Sequence, residues 1–207
     1  MDKVAALILT AGASRRMGSP KALLPWGETT VIQHLLKIIR LVGIKETLLV
    51  TGAHHDEIQK ANAGEEVQIS FHPGWELGMG SSISRGIQEV EERFSDVDAV
   101  LILLVDQPLI TEGYLSRVLE AHQNQQGFII ASDYGDFAGA PALFPRNFWT
   151  ALKGIPPAQG ARRLIASYRD QCQILDPSHA IADIDTPEAY KKALSTYLKN
   201  QTKNVNE

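Results

Sequence analysis

The sequence predicts a three-layer α/β fold, a largely parallel, Rossmann-like sheet with helices on both faces. Strand-like and helix-like segments alternate along nearly the whole chain, which is the order that builds βαβ units. Two strand segments, Val4–Leu9 and Ala99–Val105, are continuously apolar, as strands covered on both faces are. With 207 residues, 44% hydrophobic and 21% charged, the chain can bury one sizeable core. A single domain over residues 1–198 is expected, followed by a polar, frayed tail over 199–207. There is no internal repeat, low-complexity stretch or linker.

The elements follow in order. Val4–Leu9 is the first strand. Val31, Leu35, Leu36 and Ile39 recur at helical spacing, so Thr30–Leu41 is a helix capped by Thr29 or Thr30. Glu46–Thr51 is the second strand, ended by Gly52. Asp56–Lys60 is a short helix, and Val67–Phe71 a third strand. Ser81–Arg93 is a helix entered through Gly78-Met79-Gly80. Ala99–Val105, the most apolar strand, belongs at the centre of the sheet. Thr111 caps a helix over Thr111–Gln123. Phe128–Ala131 and Ala140–Phe144 are strands, Gln171–Leu175 is a short strand, and Ala158–Tyr168 and Thr186–Leu198 are the last helices.

Composition excludes several classes of function. A formal net charge of −4 argues against nucleic acid as a partner, although a few local cations suffice for a small anionic substrate. The lone cysteine, Cys172, rules out an intrachain disulfide and a zinc–cysteine cluster, and reads as a structural thiol. Asp2 and Lys3 lead straight into a strand, which does not resemble a signal peptide. No apolar run approaches the ~20 residues of a membrane helix. A cytoplasmic protein with no membrane partner is expected.

The stretch Leu7–Lys21, LILTAGASRRMGSPK, carries the strongest functional signal. A buried strand breaks into small, flexible residues from Thr10 to Ser14, then gives Arg15, Arg16, Gly18 and Lys21. Small residues let backbone amides approach an anion, and the cations balance its charge, which suits a polyphosphate. Gly18 is followed by Ser19-Pro20 and not Lys-Ser/Thr, so this is no P-loop; Gly12 is followed by Ala13-Ser14, so it is no dinucleotide fingerprint. Asp106 directly follows the central strand and precedes Gln107-Pro108. Ligands of open α/β sheets bind beyond the carboxyl ends of strands, so Asp106 faces the same crevice as the loop. There it suits a hard cation such as Mg²⁺, or serves only as a turn residue. In Asp183-Ile184-Asp185-Thr186-Pro187, the two aspartates can share one face of an extended segment, or cap the last helix. His54-His55-Asp56 reads as a solvated loop, since adjacent histidines converge poorly on one ion.

These segments resemble the MobA-like nucleotidyltransferases. The opening matches the signature L-A-A-G-x-S-x-R-M-G-x-x-K at Gly12, Ser14, Arg16, Met17, Gly18 and Lys21, with Ala11 as its second Ala and Thr10 in place of the first. Asp106-Gln107-Pro108 follows the family's G-D-Q-P with Val105 for its Gly, and Asp183–Pro187 reproduces D-I-D-T-P. Gly74–Ser84 is similar to the segment lining the base pocket. Gly139–Phe144 and Gly160-Ala161-Arg162 are similar to acceptor-side motifs, with Ala140 replacing a histidine and Pro157-Ala158 replacing Gly-Asp.

The resemblance implies a nucleotidyltransferase-type sheet and an enzyme that transfers a nucleotide. Within the family, Ala11 and Asp106-Gln107-Pro108 point to the molybdenum cofactor cytidylyltransferases. The implied reaction joins CMP from CTP to the terminal phosphate of molybdopterin and releases pyrophosphate. The implied catalytic residues are Arg16, Lys21 and Asp106, and the implied metal ligands for Mg²⁺ (or Mn²⁺) are Asp106 and Asp185. The nucleotide would be held by Thr10, Ala11, Gly12, Ala13, Ser14, Arg16, Lys21, Gly80, Ser81 and Ser82. Asp183 is left as a cap. A client molybdenum hydroxylase would be a transient partner. Two alternatives stay open: transfer to another phosphorylated acceptor such as a sugar phosphate, and a non-catalytic carrier of the cofactor.

Overall fold

The computed structural model describes residues 3–178 and 181–204; of the reading above, Asp2 and residues 205–207 of the tail lie outside them. In chain order the elements are β1 (Val4–Thr10), β2 (Pro25–Trp26), β3 (Thr29–Thr30), α1 (Val31–Leu41), β4 (Glu46–Thr51), α2 (His55–Ala61), β5 (Gln68–Phe71), α3 (Met79–Arg93), β6 (Ala99–Leu104), α4 (Glu112–Asn124), β7 (Ile129–Asp133), β8 (Ala138–Pro145), α5 (Trp149–Lys153), α6 (Arg162–Ser167), β9 (Cys172–Leu175) and α7 (Pro187–Asn204).

Seven strands form one sheet in the order β5-β4-β1-β6-β8-β7-β9. The most apolar strand, β6, is fourth of the seven, and so central as its composition predicts. The sheet is largely parallel: β1 runs parallel to β4 and β6, β5 to β4, and β9 to β7, while β8 is antiparallel to both its neighbours. The β7–β8 connection is a hairpin over Tyr134–Phe137, and a connection that short joins only antiparallel strands.

Both faces are covered, so β1 sends alternate residues into two cores. Ala6 and Ile8 pack with Leu35, Leu36 and Ile39 of α1 and Leu115 and Val118 of α4. Leu7 and Leu9 pack with Ile83, Ile87 and Val90 of α3 and Leu152 of α5. The second face demands close approach. A Cβ at Gly86 of α3 would lie 2.6 Å from Leu7 Cδ1, so the glycine lets the helix settle on β1.

Helix starts follow the expected chemistry. Thr30 is the cap of α1, in a capping box: Gln33 N–H donates to Thr30 Oγ1, and Thr30 N–H donates to Gln33 Oε1 at 3.1 Å. Thr111 accepts from Tyr114 N–H at 3.2 Å. Three local differences have clear causes. The hairpin β2–β3 turns on Gly27 at φ +63, a left-handed position that glycine adopts freely. The helix expected over Ala158–Tyr168 shrinks to Arg162–Ser167, because residues 156–159 close a turn through Gln159 N–H to Pro156 O. The last helix continues through Asn204 instead of fraying at Lys199, and Lys and Gln are good helix formers. Cys172 is half-buried on the edge strand β9, and burial pushes its thiol up against the opposing pull of Arg169, in keeping with a structural thiol. Among the described residues no helix is long and apolar enough to cross a membrane.

Candidate active site

A cavity of about 650 Å³ opens at the carboxyl ends of β1 and β6. Thr10, Ala11, Gly12, Ser14, Arg16 and Lys21 line one side, Asp106 and Asp185 the other, and Ser82 reaches it from α3. The distant motifs therefore meet, as a parallel sheet requires of residues at the same ends of neighbouring strands.

The loop after β1 is held from within. Thr10 is buried and donates its hydroxyl to Val50 O at 2.9 Å, fixing the end of the strand in the sheet. Ala11 O accepts from Ala53 N–H at 3.2 Å. A Cβ at Gly12 would meet nothing within 4 Å, so this backbone faces open space where a ligand can approach. Ser14 has a positive φ of 48°. Its carbonyl accepts from Met17 N–H at 2.9 Å and its hydroxyl from Lys21 N–H at 3.2 Å. One serine thus folds the loop back and sets the start of the short 3₁₀ turn Lys21–Leu23.

Lys21 is the centre of the charge arrangement. Its Nζ donates to Asp106 Oδ2 at 3.0 Å and to Asp185 Oδ1, while Arg16 reaches Asp185 Oδ2 at 2.8 Å. The Lys21 side chain is only 14% exposed and that of Arg16 is 69% exposed, so the first pair is the stronger and the second is screened. Burial works against the Lys21 ammonium, but Asp106 and Asp185 outweigh it and raise its pKa. The Lys21 hydrogen bond, helped by Arg16, holds the Asp185 carboxyl below its usual range.

The two carboxylates therefore already converge on one cation. Asp106 Oδ1 is buried without a hydrogen-bond partner, an oxygen free to ligate. Among the described residues no three metal-ligating side chains cluster. Two carboxylates completed by substrate oxygens are the kind of site a hard divalent cation uses with phosphates.

The segment before α3 differs from expectation. The helix begins at Met79, two residues before the predicted Ser81. Gly80 and Ser81 are accordingly not in the cavity wall; Ser82 is. Ser81 donates its hydroxyl to Gly78 O at 2.7 Å and contacts His72 Nε2 at 2.9 Å, so it braces the segment from behind. Gly80 packs on the 156–159 turn, where an added Cβ would lie 2.2 Å from Pro156 O and 2.5 Å from Gln159 O. Gly80→Ala is expected to destabilise by about 1–3 kcal/mol through overpacking, lowering the melting temperature by several degrees. A melt superimposable on wild type would show that the segment relaxes freely.

Two further sequence readings change. Ala13 is not in the cavity wall; its carbonyl accepts from His54 Nε2 at 3.3 Å, so His54, half-buried in the turn before α2 and lining the cavity, also supports the loop. Asp183 is not the cap of α7, because Thr186 accepts from Ala189 N–H at 3.2 Å. Asp183 instead accepts from Gln107 Nε2 at 3.0 Å, and its burial raises its pKa. Asp183 and Asp185 therefore serve different neighbours, separated by the buried Ile184, whose N–H donates to Asp106 O at 2.8 Å. That bond ties the D-I-D-T-P segment to the end of β6.

Trp75, within the Gly74–Ser84 segment singled out in the sequence, forms a cavity wall. A Cβ at Gly52 would lie 2.5 Å from Trp75 Cγ and 2.6 Å from Ala11 O. Gly52, seen in the sequence only as a strand end, makes room for that indole.

Residues 6–172 match the family described as the MobA-like NTP transferase domain. The purine catabolism protein PucB of Bacillus subtilis (strain 168) is 29% identical over 195 residues, 89% of this chain and 92% of that protein. A protein of Bacillus mycoides (strain KBAB4) named as a probable molybdenum cofactor guanylyltransferase is 28% identical over 130 residues, 63% of this chain and 62% of that protein. Among solved structures, Rv0371c from Mycobacterium tuberculosis H37Rv superimposes with a TM-score of 0.80 at 25% identity, over 94% of this chain and 98% of that one. The same protein in complex with manganese gives a TM-score of 0.75 at 24% identity, over 93% and 98% of the two chains. The matched region runs from β1 to the first residue of β9 and so contains the loop, both cations and the central carboxylate: the chain belongs to the MobA-like NTP transferase family.

Proposed function

We propose that the protein transfers CMP from CTP to the terminal phosphate of molybdopterin, releasing pyrophosphate. The observation that best supports transfer is the pair Asp106 and Asp185 converging on the Lys21 cation beside a small-residue loop. The choice of cytosine rests on Ala11 and on the Asp106-Gln107-Pro108 and Asp183–Pro187 motifs.

In this reading an oxygen of the acceptor phosphate attacks the α-phosphorus of CTP. The bond from that phosphorus to the oxygen bridging to the β-phosphate breaks in line, and its electron pair leaves on pyrophosphate. Such chemistry asks mainly for positioning and charge neutralisation. Amides of Ala11, Gly12 and Ser14, which line the cavity, hold the triphosphate. Lys21 turns from the carboxylates to the α-phosphate, and Arg16 meets the β- and γ-phosphates. Asp106 and Asp185 would hold Mg²⁺ or Mn²⁺, which supplies neutralisation of phosphate charge and polarisation of the P–O bonds; the manganese complex of Rv0371c is in keeping with this.

The test is to incubate the protein with molybdopterin and each nucleoside triphosphate and identify products by mass. CMP-molybdopterin is the expected product. With CTP and GTP at equal concentration, CTP should be consumed preferentially. Ala11→Gly should relax that preference by roughly tenfold, the usual worth of one methyl group in a pocket, without creating good GTP use. A preference for GTP in the wild type would refute the cytidylyl assignment and leave nucleotidyl transfer standing. Product from a sugar phosphate alone would replace the acceptor.

A further inference from the structure

Beside the main cavity lies a second pocket of about 180 Å³, sharing Leu9, Met79 and Leu104 with it. One wall is the β7–β8 hairpin. Tyr134 stacks on Phe137 with centroids 4.6 Å apart and ring planes 10° apart, and the Arg162 guanidinium lies 3.8 Å from the Phe137 centroid. Gln107 and Asp183 also line the pocket.

Gln107 is 1% exposed, and its orientation is set by its partners. Tyr134 donates its hydroxyl to Ala140 O, a carbonyl that only accepts, so the Tyr134 oxygen receives a hydrogen from Gln107 Nε2. The other Nε2 hydrogen goes to Asp183 Oδ1 at 3.0 Å. Both amide hydrogens are used. Gln107 Oε1 is left buried with no hydrogen-bond partner, which is costly unless something fills the role.

We infer that Gln107 is an acceptor-recognition residue of the transfer reaction: its Oε1 takes a hydrogen bond from an N–H or O–H on the acceptor, while its amide nitrogen holds Asp183 and the hairpin in register with Asp106. The inference rests on the transferase reading above but not on the identity of the acceptor. It links the two halves of the site. Gln107 follows Asp106 directly, Asp183 belongs to the segment that carries Asp185, and Tyr134 belongs to the hairpin. One side chain thus spans the carboxylate pair and the pocket wall.

The experiment is steady-state kinetics of wild type, Gln107→Leu and Tyr134→Phe, varying CTP and acceptor separately. Molybdopterin is the first acceptor and a hexose 1-phosphate the second. For Gln107→Leu the acceptor KM should rise at least about tenfold, kcat should fall, and the CTP KM should stay within about twofold, because a site built to bond a donor loses much when its partner is removed. Tyr134→Phe, which keeps the ring and removes only the hydroxyl, should shift the acceptor KM the same way by a smaller factor. It also carries the test should Gln107→Leu fail to fold. Equal rises in both KM values, or an unchanged acceptor KM in the variants, would overturn the assignment of Gln107. Wild-type product with the sugar phosphate alone would refute molybdopterin as acceptor while the Gln107 comparison is made on the sugar phosphate. No product with either acceptor would refute both readings.

Discussion

Asp106→Ala should reduce turnover by at least about a thousandfold at saturating Mg²⁺, the scale on which preorganised charge contacts act, while the protein stays folded. Asp106 stands at the end of the central strand, and its buried Oδ1 has no hydrogen-bond partner within the protein. Its other oxygen meets Lys21 at 3.0 Å. Removing the carboxylate takes away a ligand, but Lys21 keeps Asp185, so no cation is stranded. The melting temperature should therefore move little. Asp106→Asn separates charge from shape: an amide of the same size can still accept from Lys21, yet it should be nearly as inactive as alanine. Asp185→Ala should fall by a similar factor and should also release Arg16. Initial rates at rising Mg²⁺, read beside thermal melts, decide this. Either variant keeping near-normal rate at saturating Mg²⁺ would remove that residue from the metal site.

The sequence announced the site where chemistry is tied to backbone position. Asp106 lies just beyond a strand, Asp185 in a short extended segment, and Lys21 at the end of the loop that leaves β1, and a parallel sheet gathers such positions at one edge. The central place of β6 was legible for the same reason, since only a strand covered on both faces can be apolar throughout. Residues whose role depends on rotation were harder. Successive helical positions differ by about 100°, so starting α3 at Met79 instead of Ser81 turns Ser81 to the Gly78 carbonyl and leaves Ser82 facing the cavity. The contacts of Gln107 with Tyr134 and Asp183 were beyond the sequence because side-chain packing, not a shared strand end, brings them together. No spacing rule signals such pairs. Asp183 read as a helix cap because it precedes a helix; the observed cap, Thr186, lies three residues later, which frees Asp183 for Gln107.

Lys21→Met should bind a divalent cation more tightly than wild type in the absence of nucleotide, and turn over more slowly in its presence. The opposite signs follow from the double role proposed for one ammonium. Without nucleotide, Lys21 Nζ sits between Asp106 and Asp185, its side chain only 14% exposed. A divalent cation entering between the same carboxylates must displace or repel it. Unit charges about 3 Å apart interact by a few kcal/mol at an effective dielectric near 20, so removing that competitor should raise Mn²⁺ affinity by about tenfold or more after solvent relaxation. Methionine retains most of the stem and its packing. During turnover the balance reverses. The α-phosphate gathers negative charge that the ammonium would stabilise, and its loss should cost about 2–4 kcal/mol in kcat, a hundredfold or more. Arg16→Ala offers the contrast. Its side chain is 69% exposed, so its loss should weaken CTP binding and leave kcat less affected. Mn²⁺ titration by electron paramagnetic resonance and initial rates at saturating CTP measure the two quantities separately. If Lys21→Met bound Mn²⁺ no more tightly, the carboxylates that grip Lys21 would not be the metal's ligands. If it turned over at the wild-type rate, the ammonium would have no part in the transfer step.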